Sequence, residues 1–139
     1  MNVINVKDSM YPQDVEDDKI GKEIVDAAFY VHTALGPGLL ESVYETCLVS
    51  ELKYRGLNVI SQTPVPVLFR DRNIEAGFRL DILVEGSVII EIKACERLLP
   101  VHDAQLLTYM KLMNKRLGYL INFNSVLIKD GIKRVVKWK

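Results

Sequence analysis

The sequence predicts a single α/β domain in which helices come first and strands dominate the middle of the chain. Its 139 residues are 49% hydrophobic, which suffices for one core but not for two. Residues 20–55 carry apolar side chains at helical spacing, and residues 57–94 show a two-residue period with many β-branched side chains. These two periodicities together predict helices packed against a sheet.

Two helices are expected to begin the domain. Apolar residues recur with helical spacing over residues 20–35, and Gly36-Pro37-Gly38 ends that helix. A second helix should cover residues 39–55, followed by a glycine as its left-handed stop. Residues 1–18 are rich in aspartate and lack periodicity, so we expect a flexible arm ahead of a domain over residues 19–139.

Strands are expected near residues 57–61, 65–70, 74–84, 88–94, 118–123 and 126–137. The first four should form a mostly antiparallel meander. Pro64 and Pro66 each remove a ladder donor, so the strand beginning there should be an edge or carry a bulge. A helix over residues 103–116, for which Asp103 is a candidate cap, should precede the last two strands, and Asp130-Gly131 should form a tight turn within the final one.

Charge restricts the class of protein only in part. Eighteen basic and eighteen acidic residues balance, so the whole chain offers no strong attraction for a polyanion. The C-terminal third is more basic and could face phosphates or simply decorate exposed surfaces, through Lys111, Lys115, Arg116, Lys129, Lys133, Arg134, Lys137 and Lys139. No run approaches the roughly 18 apolar residues of a membrane span and the N-terminus lacks a secretory pattern, so we expect a cytoplasmic protein with no membrane partner.

A hairpin within residues 78–94 is the most informative stretch, because charged side chains interrupt an otherwise apolar sequence. If residues 85–87 form a three-residue loop, Val84 pairs with Val88. That register decides which of the charged side chains share a face of the sheet.

The same register places Asp81 opposite Glu91, with Lys93 on the same face. Opposed side chains lie about 4.5 to 5.5 Å apart at Cβ, where two carboxylates repel each other unless a proton or a cation lies between them. A divalent cation such as Mg²⁺ accepts carboxylate and carbonyl oxygens, and the carbonyl of Ile92 follows Glu91. Lys93 could then orient or deprotonate the nucleophilic water, or neutralise charge on a phosphate.

The alternative is a solvated charged patch, held by diagonal pairs of Asp81 with Lys93 and of Arg79 with Glu91. Flanking residues favour the metal site. Glu41 lies in the early turns of the second helix, although it could serve only to complement the helix N-terminus.

Further polar groups follow the hairpin. Gln105 and Tyr109 share one helix face and could hold a water or a phosphate oxygen, although such a pair often only borders a core. His102 could border the cleft that would hold the expected metal site, whereas His32 is expected to be an ordinary helix residue. Tyr44 is expected to serve packing rather than chemistry.

Taken together, Asp81, Glu91-Ile92-Lys93 and the Gln105–Tyr109 pair resemble the D, ExK and QxxxY series of the PD-(D/E)XK nuclease superfamily, particularly its RecB-like branch. The stretch from Gly38 through Glu41 to Tyr44 is similar to the signature of the GxxExxY proteins, a group placed in that superfamily. The resemblance covers nearly the whole chain from residue 20.

The resemblance implies a restriction-endonuclease-like core with a central mixed β-sheet flanked by helices. It also implies a nuclease that depends on Mg²⁺ or Mn²⁺ and hydrolyses DNA phosphodiester bonds with a metal-activated water. The metal ligands would be Glu41, Asp81, Glu91 and the carbonyl of Ile92, and the catalytic residues would be Asp81, Glu91, Lys93, Gln105 and Tyr109.

Two main hypotheses of function stay open at this point, beside a hydrolase that acts on some other phosphate-bearing substrate. The first is the active metal-dependent nuclease, acting on nucleic acid and most readily on DNA. The second is a catalytically inactive binding or regulatory module of the same fold, which the balanced charge favours. A homodimer is also open, because cutting two strands calls for two sites.

Overall fold

The computed structural model describes residues 12–74 and 77–137. In chain order its elements are α1 (Pro12–Leu35), α2 (Glu41–Tyr54), β1 (Val59–Pro64), β2 (Val67–Phe69), β3 (Arg72–Ile74), β4 (Arg79–Val84), β5 (Val88–Lys93), α3 (Pro100–Met113), β6 (Leu117–Asn122), α4 (Ile128–Gly131) and β7 (Ile132–Val136). Within the described ranges, no helix is long and apolar enough to cross a membrane.

A five-stranded sheet in the order β1-β4-β5-β6-β7 forms the centre, and β2 pairs with β3 in a separate hairpin. All neighbours in the central sheet are antiparallel except β5 and β6, which α3 connects as parallel strands. The expected mixed sheet flanked by helices is therefore confirmed. Val84 pairs with Val88 across residues 85–87, as the three-residue loop predicts.

Helices cover the two faces of this sheet. One face packs against α1 and α2 through a core that includes Ile24, Leu48, Ile82, Ile90 and Tyr119. The other face packs against α3 through a core that includes Leu83, Ile89, Leu106, Met110 and Leu120. Because both faces are covered, β5 is buried from Val88 to Ile92 and only Lys93, at its end, is partly exposed.

Helix α1 begins at Pro12, so residues 12–18 of the expected flexible arm are helical, while residues 1–11 lie outside the described part. Contacts with the far end of the chain hold this first turn. Arg116 Nε lies 2.9 Å from Asp14 Oδ1, and both Arg116 and Arg134 donate to Asp18 Oδ1, at 2.9 and 2.8 Å. Two basic residues of the C-terminal third thus pair within the protein rather than facing a ligand.

Helix α3 begins at Pro100 rather than at Asp103, because another residue caps it. The ring Nδ1 of His102 accepts the backbone N–H of Leu99 at 2.9 Å, while the backbone N–H of His102 donates to the carbonyl of Leu99 at 2.9 Å. Asp103 instead accepts a bond from Lys133 Nζ at 2.8 Å. The expected cap is therefore wrong.

The predicted strand over residues 126–137 is interrupted. Its first part is the helical turn α4, so Asp130 and Gly131 end a helix instead of forming a hairpin turn. A Cβ at Gly131 would collide with the carbonyl of Asn122, so only glycine lets this turn approach β6 so closely. The predicted strand over residues 74–84 is likewise divided between β3 and β4.

Candidate metal centre

The two acidic residues of the hairpin meet where β4 separates from β5. Backbone pairing of these strands ends at Ile82 and Ile90. At the next pair of residues, side chains bond to the backbone of the opposite strand. The carboxylate oxygen Asp81 Oδ2 accepts the backbone N–H of Ile92 at 2.8 Å, and Glu91 Oε2 accepts the backbone N–H of Asp81 at 3.4 Å. Each carboxylate is therefore held by the backbone of the opposite strand, and the two lie side by side.

The environment of Glu91 disfavours its charge. Its residue surface is only 5% exposed, and this burial, together with hydrogen bonding to Asp81 and the charge of Asp81, raises the pKa of Glu91 to about 9. Without a cation, Glu91 consequently holds a proton at neutral pH. A divalent ion beside the pair would replace that proton.

Replacing Glu91 with glutamine tests this electrostatic arrangement in EDTA. Because the pKa of Glu91 is raised in the folded chain from 4.5, its contribution to stability is present below about pH 4.5 and is lost as the pH rises toward about 9. We expect Glu91→Gln to unfold at a higher temperature than the unmodified chain at pH 8, and the difference to shrink at pH 5. Thermal unfolding followed by circular dichroism measures both.

The exposed Glu16 supplies the matched control, because Glu16→Gln removes a carboxylate far from the pair and should leave this pH dependence unchanged. A Glu91→Gln chain that unfolds well below the unmodified chain at pH 8 in EDTA would show that the charged form of Glu91 is stabilised, against this account.

Lys93, at the end of β5, and Glu41, at the start of α2, both lie near Asp81. Burial raises the pKa of Glu41, the positive charge of Lys93 opposes that rise, Asp81 adds to it and His102 opposes it. Glu41 thus lies within electrostatic reach of Asp81 and Lys93. In the described part of the chain, Lys93 forms no salt bridge with Asp81, nor does Arg79 with Glu91, so the self-paired patch is not formed there.

Tyr44 fixes the loop that presents Glu41. Its hydroxyl donates to the carbonyl of Gly36 at 2.6 Å and accepts the backbone N–H of Leu39 at 3.0 Å, while its ring stacks on Phe123 with centroids 4.8 Å apart. The residue is fully buried, so its role here is structural, as expected. Together these contacts set where α2 begins.

Tyr44→Phe should lower the free energy of unfolding by about 0.5 to 1.5 kcal/mol, because it removes the hydrogen bonds of the buried hydroxyl to the carbonyl of Gly36 and the N–H of Leu39, which are themselves only partly buried. Urea denaturation measures the loss. Tyr54 is 87% exposed at the end of α2, so Tyr54→Phe is the control and should change stability by less than about 0.5 kcal/mol. Equal stability of the two variants would contradict the structural role.

Glu45 also belongs to this neighbourhood, although none of the sequence motifs named above includes it. Burial raises the pKa of Glu45, a hydrogen bond from Gln62 opposes that rise, and the charges of Asp81 and Glu41 add to it. Gln62 Nε2 donates to Glu45 Oε2 at 2.9 Å. Its position one helical turn after Glu41 is the sequence signal that could have identified it.

The pair on α3 lies beside the carboxylates. Gln105 Nε2 donates to the hydroxyl of Tyr109 at 3.0 Å. Burial raises the pKa of Tyr109, and the negative charge of Glu91 raises it further. His32, by contrast, bonds the carbonyl of Ser125 at 2.8 Å through Nε2 and is absent from these interactions.

Asn122 is a second residue that the sequence analysis missed. It lies on β6 opposite Lys93 and is only 2% exposed. Its side-chain amide makes two hydrogen bonds to the backbone of Cys95, accepting the N–H at 3.1 Å and donating to the carbonyl at 2.9 Å. These bonds fix the path of the chain directly after Lys93, so Asn122 is a positioning residue.

The donors present suit a hard cation that keeps part of its water shell. Over residues 12–74 and 77–137, no three carboxylate, imidazole or thiol side chains are close enough to enclose an ion. Mg²⁺ does not require such a cage, because it is commonly bound by one or two carboxylates together with waters and substrate phosphate. Asp81 and Glu91, held side by side, meet that requirement.

The chain also matches a known protein family. A family model of the PD-(D/E)XK nuclease superfamily matches residues 18–135, which is most of the chain and includes every site residue described above. No curated protein and no solved structure matches the chain. On the strength of that family match, the chain belongs to the PD-(D/E)XK nuclease superfamily.

Proposed function

We propose that the protein is a Mg²⁺-dependent nuclease that hydrolyses phosphodiester bonds of DNA, with Mn²⁺ as an alternative ion. The observation that carries the proposal is the side-by-side arrangement of Asp81 and Glu91 where β4 leaves β5. A buried carboxyl whose pKa is raised to about 9 is unfavourable for a structural hairpin, but it is suited to a site that receives a cation.

Asp81 and Glu91 would hold the ion together with the carbonyl of Ile92, and Glu41 would lie beside it. When bound, a divalent cation makes water more acidic and neutralises charge on a phosphate. The remaining chemistry belongs to the side chains. The ammonium group of Lys93, at the partly exposed end of β5, would orient the attacking water and balance negative charge on the phosphate under attack.

Gln105 and Tyr109 would complete the site on the side of α3. Their mutual hydrogen bond fixes the phenol beside Glu91, where either group could donate to a phosphate oxygen. The burial of Tyr109 and the neighbouring negative charge keep its hydroxyl protonated, so it would act as a donor. Both residues are assigned to substrate positioning.

Within the superfamily, we place the chain with the GxxExxY proteins and the RecB-like branch. Gly38, Glu41 and Tyr44 support the first assignment, since Tyr44 shapes the loop that presents Glu41 toward Asp81 and Lys93. The Gln105–Tyr109 pair supports the second. Cutting both strands of a duplex would require two copies of this one site, so we expect a homodimer if the substrate is a duplex.

An inactive module is the second candidate, and one observation favours it. Arg116, Lys133 and Arg134 of the basic C-terminal third pair with acidic residues of the same chain, which reduces the charge available for a polyanion. Such a module would retain the fold without binding a metal.

A cleavage assay separates the two candidates. End-labelled single-stranded DNA, duplex DNA and RNA are incubated with the purified protein in Mg²⁺, in Mn²⁺ and in EDTA. The nuclease proposal expects cleavage of DNA with either ion, none in EDTA, and loss of cleavage in Glu91→Gln but not in Glu16→Gln. Absence of cleavage in every condition would favour the inactive module, and cleavage retained in EDTA would refute the metal-dependent site.

A further inference from the structure

The hairpin of β2 and β3, residues 67–74, pairs with no other strand among the described residues. It also exposes apolar side chains to solvent. Leu68 is 67% exposed and Phe69 is 64% exposed. Phe78, which precedes β4, is 50% exposed. Exposed aromatic rings on a two-stranded projection contribute little to a core and commonly mark a binding surface.

Arginines accompany these aromatic rings. Arg70 and Asp71 form the hairpin turn with φ of 50° and 60°, and Arg72 begins β3. In the part of the chain that the structure describes, neither Arg70 nor Arg72 nor Arg79 forms a salt bridge, whereas Arg116 is tied to aspartates. Their charges are therefore available to an anionic ligand.

One end of this surface, at Phe78, lies close to the candidate metal centre. Phe78 precedes Asp81 by three residues, which limits the separation of their Cα atoms to about 11 Å. The ring of Phe78 also lies 6.4 Å, centroid to centroid, from the ring of Tyr109. Between the hairpin and the start of β4 is a cleft of about 640 Å³, lined in part by Ile74, Phe78 and Arg79. A strand crossing this cleft would reach the site.

We propose that a single-stranded nucleic acid crosses the hairpin and this cleft on its way to the candidate metal centre. Unpaired bases would stack on the aromatic rings, and phosphates would pair with the guanidinium groups. The inference rests on the proposed function and names its substrate as unpaired strand. The residues of this strand-binding surface are Phe69, Arg70, Arg72, Phe78 and Arg79.

The chemistry of the surface favours this ligand over two others. A duplex keeps its bases stacked inside the helix, so exposed rings would gain no stacking partner from it. An apolar protein surface would leave the arginines buried without opposite charges. A second copy of this hairpin would supply only Asp71 against Arg70 and Arg72 of each copy, so positive charge would remain unpaired. A single strand supplies flat apolar bases and anionic phosphates together.

Binding measured without cleavage tests the surface. Fluorescence anisotropy with a labelled thymidine 20-mer, and with a duplex of the same length, is recorded in EDTA at several salt concentrations. Phe69→Ala should weaken single-strand binding about 5- to 150-fold without changing the salt dependence. Arg72→Ala should weaken binding and also reduce the slope of log K against log salt by about 0.7.

Two exposed residues outside the surface serve as matched controls. Tyr54→Ala removes an exposed aromatic ring at the end of α2, and Lys129→Ala removes an exposed cation on α4. Both should bind the 20-mer as the unmodified chain does. Light scattering of all four variants establishes whether the hairpin instead joins two copies of the chain.

The outcomes separate this inference from the proposed function. Unchanged affinity in Phe69→Ala and Arg72→Ala, tighter binding of the duplex, or a dimer that Phe69→Ala dissociates would overturn the strand-binding surface even if the protein cleaves DNA. Single-strand binding that responds to the variants as described supports the surface. If the protein binds in this way but cleaves nothing, the nuclease proposal is refuted and the strand-binding surface stands.

Discussion

Asp81→Asn should lower the rate of DNA cleavage by at least about 10³-fold while leaving the domain folded. An asparagine side-chain oxygen can still accept the backbone N–H of Ile92, which Asp81 Oδ2 accepts at 2.8 Å, so the junction of β4 and β5 should survive. The substitution removes the negative charge beside Glu91, and with it most of the attraction for a divalent cation. Activity and metal affinity should therefore fall together.

Steady-state cleavage at a Mn²⁺ concentration that saturates the unmodified chain measures this effect, and thermal unfolding in EDTA checks the fold. Asp26→Asn is the control, because Asp26 is an exposed carboxylate on α1, and this variant should keep full activity. An Asp81→Asn protein that cleaves within about tenfold of the unmodified chain would remove Asp81 from the site. Loss of activity with an unfolded domain would instead show that the carboxylate serves the hairpin.

Lys93→Met should lower cleavage by about 10² to 10⁴-fold, the usual range for a group that moves or orients a proton at the reacting centre. Metal binding should persist or strengthen, because the substitution removes a positive charge near Glu41 and Glu91. Methionine preserves most of the apolar stem of the lysine, so the end of β5 should keep its packing. Both variants should therefore lose activity, but Asp81→Asn should also lose metal affinity, whereas Lys93→Met should keep or increase it.

Comparison with Lys53→Met controls for the loss of a cation, since Lys53 is exposed in the last turn of α2. Metal affinity is measured by calorimetry and cleavage by single-turnover kinetics. If Lys93→Met lost its metal as well as its activity, Lys93 would act by maintaining the site rather than on the attacking water.

The sequence predicts the hairpin well because short-range geometry determines it. A three-residue loop permits one register, Val84 with Val88, and the two-residue period of the strands carries that register toward Asp81 and Glu91. What periodicity could not predict is that backbone pairing stops at Ile82 and Ile90, and that the carboxylates then bond to the opposite backbone.

Long-range ion pairs account for the main error in the helices. The aspartates of residues 12–18 resemble a solvated arm when only their neighbours in sequence are considered. Asp14 and Asp18 instead pair with Arg116 and Arg134, about a hundred residues away, as the separations of 98 and 116 positions for Asp18 show. No local pattern contains that information.

The sequence motifs contain the acidic residues of the candidate site but not all of the residues that surround them. Glu45 lies one helical turn after Glu41, yet only the fold shows that Gln62 donates a hydrogen bond to it and that Asp81 is near. Asn122 lies on a buried strand where an amide is uncommon, and its role depends on the parallel pairing of β5 with β6. Both are visible only when distant segments are placed together.

Calorimetric titration of Mn²⁺ into the metal-free protein and into Asp81→Asn tests the central claim most directly. We predict one ion bound per chain, an affinity that increases from pH 6 to pH 8 because the proton on Glu91 must leave, and loss of binding in the variant. The absence of binding by the unmodified chain, or equal binding by Asp81→Asn, would contradict the assignment of Asp81 and Glu91 as a metal centre.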